Sequence, residues 1–167
     1  GHPDYHVEDT MVERLERYHM KMSLLLLGTP GWAVAKEWKP LMPEKKYWPM
    51  PDLDAWQKYV RTRASRWGDR LYSLEVWNEP DLSGFNRMSL EEYAALLKTA
   101  GEIARQNAPE AVVMTGGFAT ATGHTGLKSP TFQRDCLKLA RGAFQLHAYH
   151  QHGSFDRFRN AVDGKFL

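Results

Sequence analysis

Residues 77–80 read Trp-Asn-Glu-Pro, and they close a short apolar run that begins at Leu74. A buried strand favours Leu, Val and Trp. An amide and a carboxylate at its tip are costly to desolvate unless something uses them. The use that fits is proton transfer. A carboxylic acid set among apolar groups has its pKa raised, and near neutral pH it can protonate a poor leaving oxygen such as that of an acetal. Trp77 and Pro80 flank Glu79 and can supply that setting.

The elements that must hold this tip alternate regularly. Thr10 with Glu13 has the form of a capping box, followed by Met11, Val12, Leu15 and Tyr18 at helical spacing. Met22 to Leu27 is a continuous apolar run, the pattern of a strand buried on both faces of a parallel sheet. Residues 28–51 form a long loop that holds five of the nine prolines together with Trp32, Trp38, Tyr47 and Trp48, and long ordered loops usually carry function. Asp52 caps a helix through Trp67, Gly68 ends it, and Leu71 to Trp77 is the next strand. Ser89 and Glu92 make a second capping box, and Pro109 closes the helix that follows. Ala111 to Thr115 is a third strand, Ser129-Pro130 opens a helix, Ala143 to Tyr149 is a fourth strand, and Phe155 to Val162 begins a further helix.

Strict alternation of this kind specifies an α/β protein with parallel strands and crossover helices. Four strands fit a small open sheet or part of an eight-stranded (β/α) barrel. A complete barrel takes about 250 residues, more than the 167 here. The loops after the strand ends carry GTPGWA, NEPDLSGFN, GGFAT and HAYHQHG, while the returning loops RWGDR and NAPE are plain. Elaboration on one face favours the barrel. No internal boundary divides the chain, so residues 1–167 read as a single, incomplete barrel domain.

Composition narrows the partners. With 43% apolar and 25% charged residues, the chain has the make-up of a globular domain. A net charge of +2 from scattered basic residues gives no reason to expect a nucleic-acid or anionic-membrane partner, and no run is long and apolar enough for a membrane span. The single Cys136 excludes an internal disulfide. All six tryptophans fall between residues 32 and 77, which suggests an aromatic cleft, a core filled by several of them, or both.

Taken in order, LLLLGTPGWA (24–33), WNEP (77–80) and LHAY (146–149) resemble the third-, fourth- and sixth-strand ends of clan A glycoside hydrolases, with families 39 and 5 the nearest in pattern. The resemblance runs from about Met22 to His150. It implies a retaining β-glycosidase barrel acting on a carbohydrate, with these strands the third to sixth and no cofactor or catalytic metal. Glu79 would be the general acid/base, and Asn78 would donate to the sugar 2-hydroxyl. His147 and Tyr149, which alternate onto one side of their strand, would line the site.

A retaining mechanism needs a second carboxylate about 5–5.5 Å from the first. Glu75 is on the same face of the same strand, but roughly 13 Å away at about 3.3 Å per residue. It reads as an interior charge paired with a buried cation, an Arg in expectation. Asp81 follows the turn at Pro80 and is not set across a sugar from Glu79. The resemblance places the nucleophile at a seventh strand, beyond Leu167. The remaining candidates are looser. Trp32 suits stacking on a sugar ring, or packing on the helix behind it. His147 equally suits a satisfied place inside the barrel. His147, His150 and His152 have a spacing that suggests zinc only weakly. His124 and Thr125 follow the third strand of this chain and are near enough in sequence to reach the cleft. Gly116-Gly117 lacks the context of a nucleotide loop.

The leading reading is therefore the acid/base portion of a retaining glycosidase. The alternatives are a non-catalytic carbohydrate-binding remnant and an unrelated open-sheet protein. In either barrel reading, two open sheet edges imply docking with the remainder of the barrel or self-association.

Overall fold

The structure is a computed structural model that describes residues 4–44, 49–119 and 126–150, with Asp156 and Arg159. Its elements are α1 (His6–Arg17), β1 (Met22–Leu26), α2 (Leu53–Trp67), β2 (Leu71–Val76), α3 (Leu90–Asn107), β3 (Val112–Thr115) and α4 (Phe132–Leu139). The three strands form one parallel sheet in the order β1-β2-β3. Both crossovers step in the same direction, and α2 and α3 pack against each other, as crossovers of one hand require. A doubly wound sheet reverses its strand order somewhere. Here the order is monotonic, as in a segment of a barrel.

The fourth expected strand is not a regular one. Leu146 pairs in parallel with Met114, and Tyr149 with Phe118, as two isolated bridges. Gly116-Gly117 lies between those two points on the β3 side, and the ladder breaks there. The segment nevertheless continues the order on the far side of β3, joined by Thr115 N–H to Leu146 O and Phe118 N–H to Ala148 O.

Register separates the two faces of the sheet. The rows Leu24–Leu74–Val113 and Leu26–Val76–Thr115 run under the helices, where Leu26, Leu74 and Val76 are fully buried. Each such side chain contributes about 1.5–3 kcal/mol. The intervening row Leu25–Glu75–Met114 faces the other way, and Leu25 is 41% exposed. The expectation that Met22–Leu27 is buried on both faces is thus corrected: among the described residues, β1 is an edge strand with one covered face.

Local sequence explains most helix ends. Asp52 accepts from Ala55 N–H, and the Ser89/Glu92 box has both of its hydrogen bonds. Two starts differ from expectation. α1 begins at His6, and the Thr10 hydroxyl donates to the His6 carbonyl inside the helix. α4 begins at Phe132 because Ser129 Oγ accepts from Thr131 N–H, which holds Ser129-Pro130 in the turn before it. The helix expected over 155–162 lies outside the described residues apart from Asp156 and Arg159.

The long loop is tied at both ends. Ala35 N–H donates to Met50 O, Asp52 N–H to Ala33 O, and the Thr29 hydroxyl to Pro49 O. The indole of Trp38 reaches Glu92 Oε1, so the loop is fastened to the cap of α3. Trp56, Trp67 and Trp77 are core residues, and the Trp56 indole donates to Leu96 O between α2 and α3.

Candidate active site

β2 ends in an unusual backbone. Trp77 (φ 71°) and Glu79 (φ 44°) both occupy the left-handed region, which costs a non-glycine residue about 1–2 kcal/mol. Hydrogen bonds hold them there. Trp77 N–H donates to Leu26 O, Glu79 N–H to Gly117 O, and Leu82 N–H back to Glu79 O. The Asn86 amide donates to Pro80 O, and its oxygen accepts from Met88 N–H. Asp81 is fully buried, with Oδ1 accepting from Ala119 N–H. The tip is thus clamped from β1, from the β3 loop and from its own following turn.

The reversal turns the Glu79 side chain into the protein, where the residue is 6% exposed. Its Oε1 lies 2.9 Å from His150 Nδ1. Glu75 lies on the open row of the sheet, and its partner among the described residues is the amide of Gly117 at 3.1 Å, not the expected Arg. A half-buried carboxylate keeps part of its hydration, so an N–H donor is sufficient there. Asn78 sits half-buried between Trp77 and Glu79, and among the described residues its amide has no hydrogen-bond partner.

His147 goes elsewhere. Its Nδ1 is 3.0 Å from Thr115 Oγ1 and its Nε2 is 2.6 Å from the Gln133 amide nitrogen, both in the helix-covered layer. The Gln133 N–H donates to Nε2, so Nδ1 carries the proton and donates to Thr115. That network needs a neutral ring, and burial lowers its pKa in the same direction. Tyr149 lies beside it, the two rings 6.3 Å apart. The alternation that groups His147 with Tyr149 puts His150 on the opposite side, where Glu79 is.

Trp32 is 79% exposed, at the mouth of a 670 Å³ cleft beside β1 that is also lined by Tyr5, Trp56, Tyr59 and Arg63. Glu79 does not line it. Among the described residues no three His, Cys, Asp or Glu side chains gather as a metal cluster; His152, His124 and Thr125 lie outside those residues. Asn78 and Glu79 share the tip of β2, whereas the His147 ring is bonded to Thr115 and Gln133 and Trp32 lies at the neighbouring cleft. Sequence reasoning missed His150 as the residue against Glu79. The available signals were its parity with Ala148 and the glycine pair that gives it room.

Among solved structures, the chain is similar to a glucosidase from Croceicoccus marinus, with a TM-score of 0.59 and 14% identity over 86% of this chain and 28% of that one. It is also similar to the virulence factor SghA, solved in complex with its substrate analog salicin, with a TM-score of 0.42 and 17% identity over 81% of this chain and 33% of that one. The likeness is one of fold. It rests on the glucosidase, and this chain spans well under half of either protein's length. No protein-family model matches the sequence, and no curated protein matches it.

Proposed function

We propose that this chain is the acid/base portion of a retaining β-glycosidase barrel, a single domain segment whose strands are the third to sixth. Glu79 is its general acid/base: it gives a proton to the leaving glycosidic oxygen and later takes one from the attacking water. The open amide of Asn78 is placed to donate to the sugar beside it. The nucleophilic carboxylate comes from a barrel strand outside these four. His147 and Tyr149 support the wall behind the site, and Trp32 offers a ring for a sugar face at the neighbouring cleft.

One observation carries this reading: a buried carboxylate at the C-terminal end of the central strand of a parallel sheet, on the rim where barrel enzymes place their chemistry. The fold shared with a glucosidase supports it. The test compares the intact protein with Glu79→Gln on alkyl and dinitrophenyl β-glycosides. The expected loss in kcat/KM is about 10²–10⁴-fold on the alkyl substrate and far less on the dinitrophenyl one, whose leaving group needs no proton in the first step. Full activity of the variant on the alkyl glycoside would end the reading. The exposed Trp32 over an aromatic cleft favours a second reading, a carbohydrate-binding module without turnover. That protein would show sugar-dependent quenching of Trp fluorescence and no hydrolysis.

A further inference from the structure

We infer that His150 is the positioning residue for Glu79, and that Gly117 is a glycine to let it be so; this rests on the reading of Glu79 as acid/base. The imidazole Nδ1 meets Glu79 Oε1 at 2.9 Å across 71 residues of sequence. That contact fixes one carboxyl oxygen and leaves the other, Oε2, to exchange the proton. In the first step the O–H bond at Oε2 breaks as the glycosidic oxygen gains the hydrogen. In the second, the resulting carboxylate takes a proton from water at the same oxygen.

Three features hold the imidazole in place. His150 N–H donates to Phe118 O at 2.8 Å, and Phe118 N–H donates to Ala148 O, so the backbone on both sides is paired. Gly117 has an ordinary backbone, not a left-handed one, so its lack of a side chain is a matter of room. A β-carbon there would lie 2.2 Å from His150 Nε2 and 2.4 Å from Cδ2. The Gly117 carbonyl in turn holds Glu79 N–H. One residue thus fastens the glutamate backbone and makes space for the ring that holds its carboxyl.

The neighbouring charges leave this task to His150. Glu75 on β2 is engaged by the Gly117 amide, and Asp81 by the Ala119 amide. His147 and Tyr149 lie on the other side of their segment, and the Tyr93 hydroxyl from α3 is bonded to Val76 O and Gly116 N–H. An imidazole with its proton on Nδ1 donates to Oε1 in both states of the glutamate, because the acid form carries its hydrogen on Oε2 and leaves Oε1 a carbonyl acceptor. The contact therefore persists through both halves of the cycle.

The experiment uses the intact protein and four variants: His150→Ala, His150→Asn, Gly117→Ala and Glu79→Gln. Methyl and dinitrophenyl β-glucosides are the probes, with the matching β-xylosides as a second pair. His150→Ala is expected to lose about 10- to 100-fold in kcat/KM on the methyl glycoside and less than about threefold on the dinitrophenyl glycoside. His150→Asn, whose amide nitrogen falls near the Nδ1 position, is expected to recover most of the loss. Gly117→Ala should reproduce His150→Ala by displacing the ring, with Glu79 and His150 themselves unchanged. Equal losses on both substrates, no loss on the methyl glycoside, or failure of Asn to rescue overturns the inference. If His150→Ala is inert while Glu79→Gln loses the methyl substrate, the positioning role falls and the acid/base reading stands. If Glu79→Gln keeps its rate, or the parent protein turns over neither pair, the reading beneath it falls as well.

Discussion

Tyr93 is fastened to Gly116 through its phenolic oxygen, which accepts from the glycine amide at 2.9 Å and donates to Val76 O at 3.0 Å. The bridge runs from α3 to the ends of both β2 and β3. Its phenol is fully buried, and burial pushes its pKa well above the ordinary value near 10. Tyr93→Phe strands a buried amide and a buried carbonyl. It is expected to lower stability by about 1–3 kcal/mol, read from the midpoint of urea unfolding. The ionisation has a sign as well. The unfolded chain releases this proton first, so the phenol's contribution is complete below pH about 10 and fades above it. Tyr93→Phe should flatten that alkaline decline.

Gly116 and Gly117 are expected to respond differently to alanine. A β-carbon at Gly116 would lie 2.5 Å from Trp77 O and 2.7 Å from Val76 O, and backbone cannot swing aside. At Gly117 the obstacle is a side-chain ring. Gly116→Ala should cost about 1–3 kcal/mol in chemical unfolding, and Gly117→Ala clearly less. Equal costs would mean that the strand ends do not approach as described.

Lys128 is half-buried, with its ammonium donating to Met88 O at 2.5 Å and lying over the Phe132 ring. Desolvation lowers its pKa to about 8, against a partial pull upward from Asp81. Between pH about 8 and 10.5 the unfolded chain holds the proton that the folded one has lost, so this group adds stability as pH rises through that window. Lys128→Met keeps the stem and should remove the rise, as measured by thermal melting across the range.

Asp9 has a dependence of the same sign at the acid end of the scale. The Arg66 guanidinium, joined by the Trp67 indole N–H, holds its carboxyl down at about 2. The α1–α2 contact is therefore complete above pH about 4 and is lost as pH falls toward 2. Asp9→Asn should melt lower than the parent at pH 6 and converge with it near pH 2.

Among the described residues the outer side of β1 is an unpaired edge, and Leu25 lies exposed on its open row. Edges of this kind template further strands. Leu25→Lys is expected to reduce self-association of the isolated chain in sedimentation velocity while leaving its circular dichroism unchanged. A parent chain that stays monomeric at high concentration would remove the premise.

What could be read in the sequence was local or periodic. The Asp52 cap, the Ser89/Glu92 box, the stop at Gly68 and the strand that runs up to the Glu79 tip each depend on residues within a few positions of one another. The misreadings have physical sources. Thr10 matched a capping box, but its hydroxyl satisfies an earlier carbonyl within the same helix. An apolar run such as Met22 to Leu27 looks the same whether one face is covered or two, because composition does not say what lies opposite; here Leu25 is left exposed. The contact between Glu79 and His150 spans the fold, and no spacing rule encodes it. Only the pairing of the segment after β3 brings them together.

The left-handed turn at Trp77 and Glu79 has a consequence for heat. Its shape is imposed by bonds to Leu26 and Gly117 and not by the preference of its own residues. As the surroundings loosen, this tip is the place where relaxation releases the most. Whatever work the glutamate performs should therefore fade on warming several degrees before the helices melt, and return on cooling.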